Sequence, residues 1–296
     1  MTRAVAGMLN GKRLHLQDGP IDLIIEANGA GEAIAAAYAA AGARFNSILD
    51  ELCRELPLLR SAARAEAPPE GIVARRMWRA VMPYSADTFV TPMAAVAGSV
   101  ADEVLGVMIA SGGVSRAFVN NGGDIAIHLS RDASWRVGLV DRPDRPSLFG
   151  AAVVTAGDGV GGIATSGWRG RSFSLGIADA VTVLAPDAAT ADAAATIVAN
   201  AVDLPGHPAV TRIAATDLQP DSDLGSFLVT RGVGPLEEEE IARALAAGAA
   251  KAEELVDDRR IAAAALHLAG VTRVVDKHGG KSVQKRKATI PELVGV

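Results

Sequence analysis

A single cysteine, Cys53, is all the thiol chemistry in the chain, so neither an intrachain disulfide framework nor a multi-cysteine metal site is available to it. That usage suits a reducing compartment, and the expectation is a cytoplasmic protein. The opening residues, Met1 to Arg13, lack the apolar stretch and cleavage site of a secretory signal. No uncharged apolar run approaches the ~18 residues needed to cross a bilayer, and alanine-rich buried helices account better for the mean hydropathy of +0.23. A membrane role is therefore not expected. Basic charge is in deficit too: 29 Lys and Arg against 34 Asp and Glu give a net charge of −5, which leaves no overall basic surface for nucleic acid. Small acidic or metal-chelated ligands stay open.

Two missing motif classes narrow the chemistry further. His15, His128, His207, His267 and His278 are scattered without a nucleophile motif, so no catalytic triad suggests itself. The glycine-rich segments contain neither Gly-x-Gly-x-x-Gly at a strand–helix junction nor Gly-Lys-Ser/Thr, which counts against dinucleotide-binding and P-loop folds.

What is present is material for a large core: 296 residues, 49% of them hydrophobic, enough for one big domain or two closely packed halves. Residues 13–26 read as two strands joined by Asp18-Gly19-Pro20, an opening hairpin. Ile34, Tyr38, Ala41, Phe45, Ile48 and Leu52 recur at three- and four-residue spacing, one apolar stripe along a helix that carries Cys53 and that Pro57 should end. Pro68, Pro69 and Gly71 break the pattern, and a short helix is expected around 72–81. Thr91-Pro92 supplies a helix start, a hydroxyl that can cap and a proline at the first helical position, for a helix to about Ala110. Strands follow at 117–119, 124–129 and 135–140, then at 181–184 before a long alanine-rich helix to about Val202. The last third offers a strand at 226–231 and helices at 236–256 and 259–269. The segment 277–296, with Lys277, Lys281, Lys285, Arg286 and Lys287, reads as a solvated basic tail behind a single domain over 1–276.

Three short segments can carry chemistry. In Asn120-Asn121-Gly122-Gly123-Asp124, paired glycines let backbone amides approach a phosphate, although Asn-Gly is also an ordinary tight hairpin. In Thr165-Ser166-Gly167, two hydroxyls and a glycine could hold a phosphate or a ribose, or simply form a polar turn. In Ala191 to Thr196, helical spacing puts Asp192 and Thr196 on one face, with Asn200 extending it. A carboxylate and a hydroxyl one turn apart suit magnesium shared with phosphates; the alternative is a solvated stripe with Thr196 bonded back to its own helix.

In order, these segments resemble the ApbE-like superfamily, whose members carry Asn-x-Gly-Gly-Asp, Thr-Ser-Gly and Ala-Asp-Ala-Leu-Ala-Thr. The similarity extends to Gly19 to Leu23, Thr91 to Gly98 and Ser174 to Ala180, segments like those of an uncharacterised non-lipoprotein branch, and spans about residues 12–270. The resemblance implies an α/β (α+β) sandwich with central mixed sheets flanked by helices and an internal duplication, with which the alanine-rich segments Met93 to Val104 and Ala191 to Val202 are compatible. It implies FAD and Mg2+ as cofactors, Asn121, Gly122, Gly123, Asp124, Thr165, Ser166 and Gly167 as nucleotide contacts, and Asp192 and Thr196 as metal ligands, with Asp179 nearby. A small phosphorylated ligand and a protein acceptor are the implied partners, and a homodimer is an expectation from the alanine-rich helices. Two departures stand out. Typical transferases have His-x-x-Asp-Pro-x-Thr-Gly where this chain has Arg171 to Asp179, and the lysine that follows their Gly-Gly-x-x-Lys-Gly pattern has no counterpart in Ala94 to Gly98. Three functional classes stay open: a magnesium-dependent enzyme on a flavin nucleotide or related phosphorylated ligand; a non-catalytic binding or accessory protein in sulfur or cofactor metabolism; and a structural or interaction protein in which the three segments are only turns and helix-packing positions.

Overall fold

The computed structural model describes residues 4–140 and 148–277; of the basic stretch expected as a tail, all but Lys277 lies outside them. The chain opens with β1 (Val5–Leu9), β2 (Arg13–Asp18) and β3 (Ile21–Gly29), followed by helices α1 (Gly31–Arg54), α2 (Leu56–Leu59) and α3 (Ile72–Val81). A 3-10 turn over Pro92–Ala95 leads into α4 (Val96–Ala110), then β4 (Val114–Asn121), β5 (Asp124–Leu129), β6 (Ser134–Val140), β7 (Leu148–Thr155), β8 (Gly162–Ser166) and β9 (Ala180–Ala185). Next come α5 (Ala188–Ala201), β10 (Val210–Ala214), α6 (Ala215–Leu218), β11 (Leu228–Val233), α7 (Glu238–Asp257), β12 (Ala263–Leu268) and β13 (Val271–Asp276).

Nine strands form one sheet in the order β1-β2-β3-β4-β5-β8-β9-β12-β13. The fold is α/β as expected, but each described pairing is antiparallel rather than mixed. The physical reason lies in the crossovers. Between β3 and β4, and again between β9 and β12, the chain passes through helices and re-enters the sheet at the end it left, so the next strand runs back against the last.

The element order repeats. A hairpin, two long helices and a second hairpin give β2-β3, α1, α4, β4-β5; the same order gives β8-β9, α5, α7, β12-β13. Two cores follow this division, one including Leu16, Leu23, Ile25, Phe45, Val104 and Val119, the other Val181, Val183, Val198, Leu245 and Leu266. By element order α5 corresponds to α1 and α4 to α7. The duplication is thus one of topology, and the alanine-rich segments of α4 and α5, paired in the sequence reading, are not its equivalent members.

Local sequence explains most elements. In β3 the inward residues Ile21, Leu23, Ile25 and Ala27 alternate with Asp22, Ile24 and Glu26. The α1 stripe buries Ala37, Ala41, Phe45, Ile48 and Leu52, and Pro57 falls in the first turn of α2, where its missing amide costs nothing. The segment Pro92–Ala110 has the length and hydropathy, 1.6, of a membrane span, yet here it packs against α1, α5, β4 and β5 with Val100, Ala101, Val104 and Met108 fully buried.

The helix expected over 259–269 is instead strand β12. Its alanines favour a helix, but it pairs with β9 on one side and β13 on the other, and the turn at Ala269 and Gly270, φ +48 and +83, closes a hairpin. Pairing on both edges and near-complete burial override a weak helical preference. Strands β1, β7, β10 and β13 have no counterpart in the sequence expectations. The β6–β7 hairpin covers the face of the sheet opposite the helices, where Trp135 meets Phe118 edge-on at 5.4 Å and Val154 packs with Ile127 and Ile163.

Candidate functional site

The middle of the sheet, where the two halves join, gathers most of the sequence-predicted residues. Gly122 and Gly123 connect β4 to β5 with φ of +67° and +118°, backbone that favours glycine. Asn120 closes this turn by accepting a hydrogen bond from Gly123 N at 2.8 Å. Asn121 and Asp124 stand opposite each other in register, and strand alternation puts both on the helix-facing side with Val119 and Ala126. Asn121 donates from Nδ2 to Ala97 O at 3.1 Å; Asp124 accepts from Thr165 N at 3.2 Å.

Above these residues the first turns of α4 and α5 meet. Asp192 on α5 accepts from Gly98 N of α4 at 3.0 Å, a contact only a glycine permits, because a Cβ at residue 98 would lie 2.2 Å from Ala188 O. Asp102 on α4 accepts from Ala188 N and Ala189 N at 3.0 and 2.9 Å, satisfying two of the free amides at the start of α5. Asp187 caps the same end by accepting from Thr190 N at 2.7 Å.

The electrostatics are those of an under-compensated acidic cluster. Asp124 keeps partial exposure but sits deep enough that desolvation drives its pKa up to about 7, against the opposing Thr165 amide and the charge of Arg171. Asp192 is pushed well above the ordinary carboxylate value, first by burial and then by Asp124, with the Gly98 and Ala97 amides pulling the other way. Asp102 rises to about 6, again mainly through burial. Asp124 and Asp192 therefore resist ionising together, and whatever neutralises one eases ionisation of the other.

The remaining predicted residues are placed less centrally. Thr165 reaches Asp124 through its backbone amide, while its hydroxyl pairs with Thr182 at 2.9 Å on the opposite sheet face. Ser166 and Thr196 make no side-chain hydrogen bond among the described residues; Thr196 lies one turn beyond Asp192 on the partly exposed face of α5, as the spacing predicts. Gly167, φ +147°, has no room for a Cβ against Asp179 O at 2.7 Å and Ala178 O at 2.8 Å. Asp179 is buried and occupied, accepting from Trp168 Nε1 at 3.2 Å, Arg169 Nε at 2.5 Å and Ala269 N at 2.7 Å. It pins the loop after β8 to the β12–β13 turn and stands outside the acidic cluster. Asn200 likewise serves the fold, accepting from Leu175 N at 2.9 Å.

Sequence reasoning gave no role to Asp102, to the Ala97 and Gly98 amides, or to Arg171. The Arg171 guanidinium lies against Gly122, where a Cβ would come within 1.9 Å of it. It borders a cleft of about 230 Å³ shared with Asp22, Ile24, Asn120, Gly122 and Gly123. No local signal marks Asp102, whose role depends on which helix packs beside it.

Among the described residues no three His, Cys, Asp or Glu side chains form a metal-holding group. Magnesium asks for less than that: one or two carboxylates, with waters and ligand phosphates filling the octahedron. The Asp124–Asp192 pair, with the Thr196 hydroxyl one turn on and unpartnered among the described residues, fits that donor set.

Comparison with known proteins locates the chain among relatives. The family model described as "AbpE bacteria" matches residues 6–274. A UPF0280 protein of Methanopyrus kandleri is 40% identical over 136 residues, 46% of this chain and 50% of the relative. One of Archaeoglobus fulgidus is 43% identical over 113 residues, 38% of this chain and 45% of the relative. The chain thus spans about half the length of the curated relatives it matches. Among solved structures, the apo form of the Pseudomonas stutzeri flavinyl transferase ApbE aligns over 92% of this chain and 93% of its own, at 14% identity and a TM-score of 0.41. The Vibrio cholerae flavin transferase ApbE aligns over 92% and 96%, at 15% identity and a TM-score of 0.35.

Proposed function

The chain belongs to the AbpE bacteria family, and from that premise, together with the paired carboxylates at its centre, we propose that it binds a flavin nucleotide or related phosphorylated ligand with magnesium and acts on it. The observation that carries this reading is the pairing of Asp124 with Asp192. Burial raises the cost of ionising both, Asp124 raises it further for Asp192, and a divalent cation removes that cost. When bound, magnesium would neutralise phosphate charge on the ligand and stabilise charge developing on a leaving phosphate.

The chain's own residues divide the remaining work. Asp192 and Thr196 would hold the ion, with Asp124 beside them. The Gly122–Gly123 turn, its Gly123 amide held by Asn120, offers a glycine-lined approach for the ligand, and Arg171 supplies the positive charge next to that turn. Thr165, Ser166 and Gly167 extend the same edge. A protein acceptor follows if the activity is a transfer reaction.

A second reading, a binding protein without turnover, draws on Asp179 and Arg171. In the segment where typical transferases place His-x-x-Asp-Pro-x-Thr-Gly, this chain offers an aspartate already committed to three structural hydrogen bonds and no histidine.

Calorimetric titration with FAD, FMN and ADP, each with and without magnesium, tests the proposal on wild type and Asp192→Ala. Magnesium-dependent binding that the variant loses is expected. Binding without substrate loss under any metal condition would move the reading to the second class, and no binding in any condition would remove both.

A further inference from the structure

A second cleft lies away from the sheet centre, between α3 and the start of α5. It encloses about 550 Å³, and its lining includes Ile72, Arg75, Arg76, Arg79, Asp187 and Thr190, a size typical of small-ligand sites. We infer that this cleft is a second anion site, which takes an oligophosphate group independently of magnesium and of the Asp124–Asp192 pair.

Charge is the first argument. Arg75 and Arg79 are four residues apart, and Arg76 and Arg79 three, so the guanidinium groups crowd one side of a ten-residue helix. Like charges at those spacings are mildly unfavourable in a bare helix, and among the described residues that line the cleft Asp187 is the only carboxylate. Arg76 is already paired with Glu103, so the excess positive charge rests on Arg75 and Arg79; one helical turn apart, their two guanidinium groups suit the two phosphoryl groups of a pyrophosphate better than a single phosphate.

Availability is the second. Arg79 has no hydrogen bond or ion pair among the described residues, and it is exposed. Arg75 uses one nitrogen, donating to Glu70 O at 2.8 Å. Arg76 pairs with Glu103 at 3.0 Å, but Glu103 is already held by Arg44 at 2.7 Å, and the buried Nε of Arg76 has no partner. The exposed guanidinium groups of Arg75 and Arg79 thus keep much of the planar donor array that recognises phosphate oxygens in pairs, while Arg76 is committed to Glu103.

Asp102 and Asp187 already satisfy the first amides of α5, so the helix end contributes little. The arginines are the recognition element, and α3 and α5 hold the walls apart.

Titration with sodium pyrophosphate in EDTA, on the full chain, tests the inference. Wild type is expected to bind, with affinity falling as NaCl is raised and inorganic phosphate at least tenfold weaker. The double variant Arg75→Gln/Arg79→Gln should bind at least tenfold more weakly while keeping a cooperative urea transition. The single change Arg79→Gln, which removes no contact of the fold, should cost at least threefold. No heat at millimolar pyrophosphate, a requirement for magnesium, equal affinity for phosphate and pyrophosphate, or affinity unmoved by either variant would each overturn the site.

Discussion

Asp102 and Asp192 cap each other's helices. Asp102, on α4, accepts from Ala188 N and Ala189 N at the start of α5, and Asp192, on α5, accepts from Gly98 N at the start of α4. The exchange fixes the register of the two central helices and so sets where Asp192 stands over Asp124. It joins the two topological halves through their backbone donors and makes the acidic cluster part of the packing.

If that exchange supports the fold, Asp102→Ala strands two amides in a shielded place. The expected loss is about 1–3 kcal/mol, read from urea unfolding. Asp102→Asn keeps one acceptor and should lose less. Equal stability of wild type and Asp102→Ala would show that water replaces the carboxylate at no cost.

Gly98 has a sharper steric role. A Cβ there meets Ala188 O at 2.2 Å and Ala188 C at 2.5 Å, and both are backbone atoms that cannot rotate away. Gly98→Ala must push α5 off α4, at a cost of about 1–3 kcal/mol, and it lengthens the Gly98–Asp192 hydrogen bond. Calorimetric melting should show a lowered Tm, together with loss of whatever magnesium response the wild type has. An unchanged Tm would mean the helices slide apart freely.

Much of this architecture was legible from local pattern, because alternation in β2 and β3 and the α1 stripe each report burial on one face. Strand β12 was not: Ala263 to Leu268 has no period to betray it, and only its two neighbouring strands make it a strand. The antiparallel sheet was equally hidden, since local sequence does not say at which end a crossover returns. At the site, Asp124 and Asp192 were visible as motif members, and Asn121 was visible beside its glycines. Asp102 and the arginines of α3 were not, because their roles come from a helix 86 or more residues away in the chain.

The acidic cluster makes stability depend on pH in a stated direction. The folded-state pKa of Asp124, about 7, and of Asp102, about 6, lie above the ordinary 3.8, and Asp192 is raised as well. The folded chain therefore holds protons that the unfolded chain has released, so this contribution is fully present below pH ~4 and is lost as pH rises through about 7. Urea midpoints should fall between pH 5 and pH 8, and Asp124→Asn should flatten that fall. Matching slopes in wild type and variant would place the titration elsewhere.

Arg171 and Gly122 test the electrostatics of the turn itself. The guanidinium lies where a Cβ of residue 122 would be, 1.9 Å from Nη2, and its charge lowers the pKa of Asp124. Gly122→Ala adds that Cβ at a φ of +67°, a strain of about 1–2 kcal/mol, and displaces the flexible end of Arg171. With the cation further away, the Asp124 carboxyl should titrate at higher pH, and Arg171→Gln should move it in the same direction without backbone strain. Carbon-13 titration of the Asp124 carboxyl resolves both shifts. A midpoint unmoved in Arg171→Gln would mean that solvent already screens the pair, leaving burial alone to set the proton affinity of Asp124.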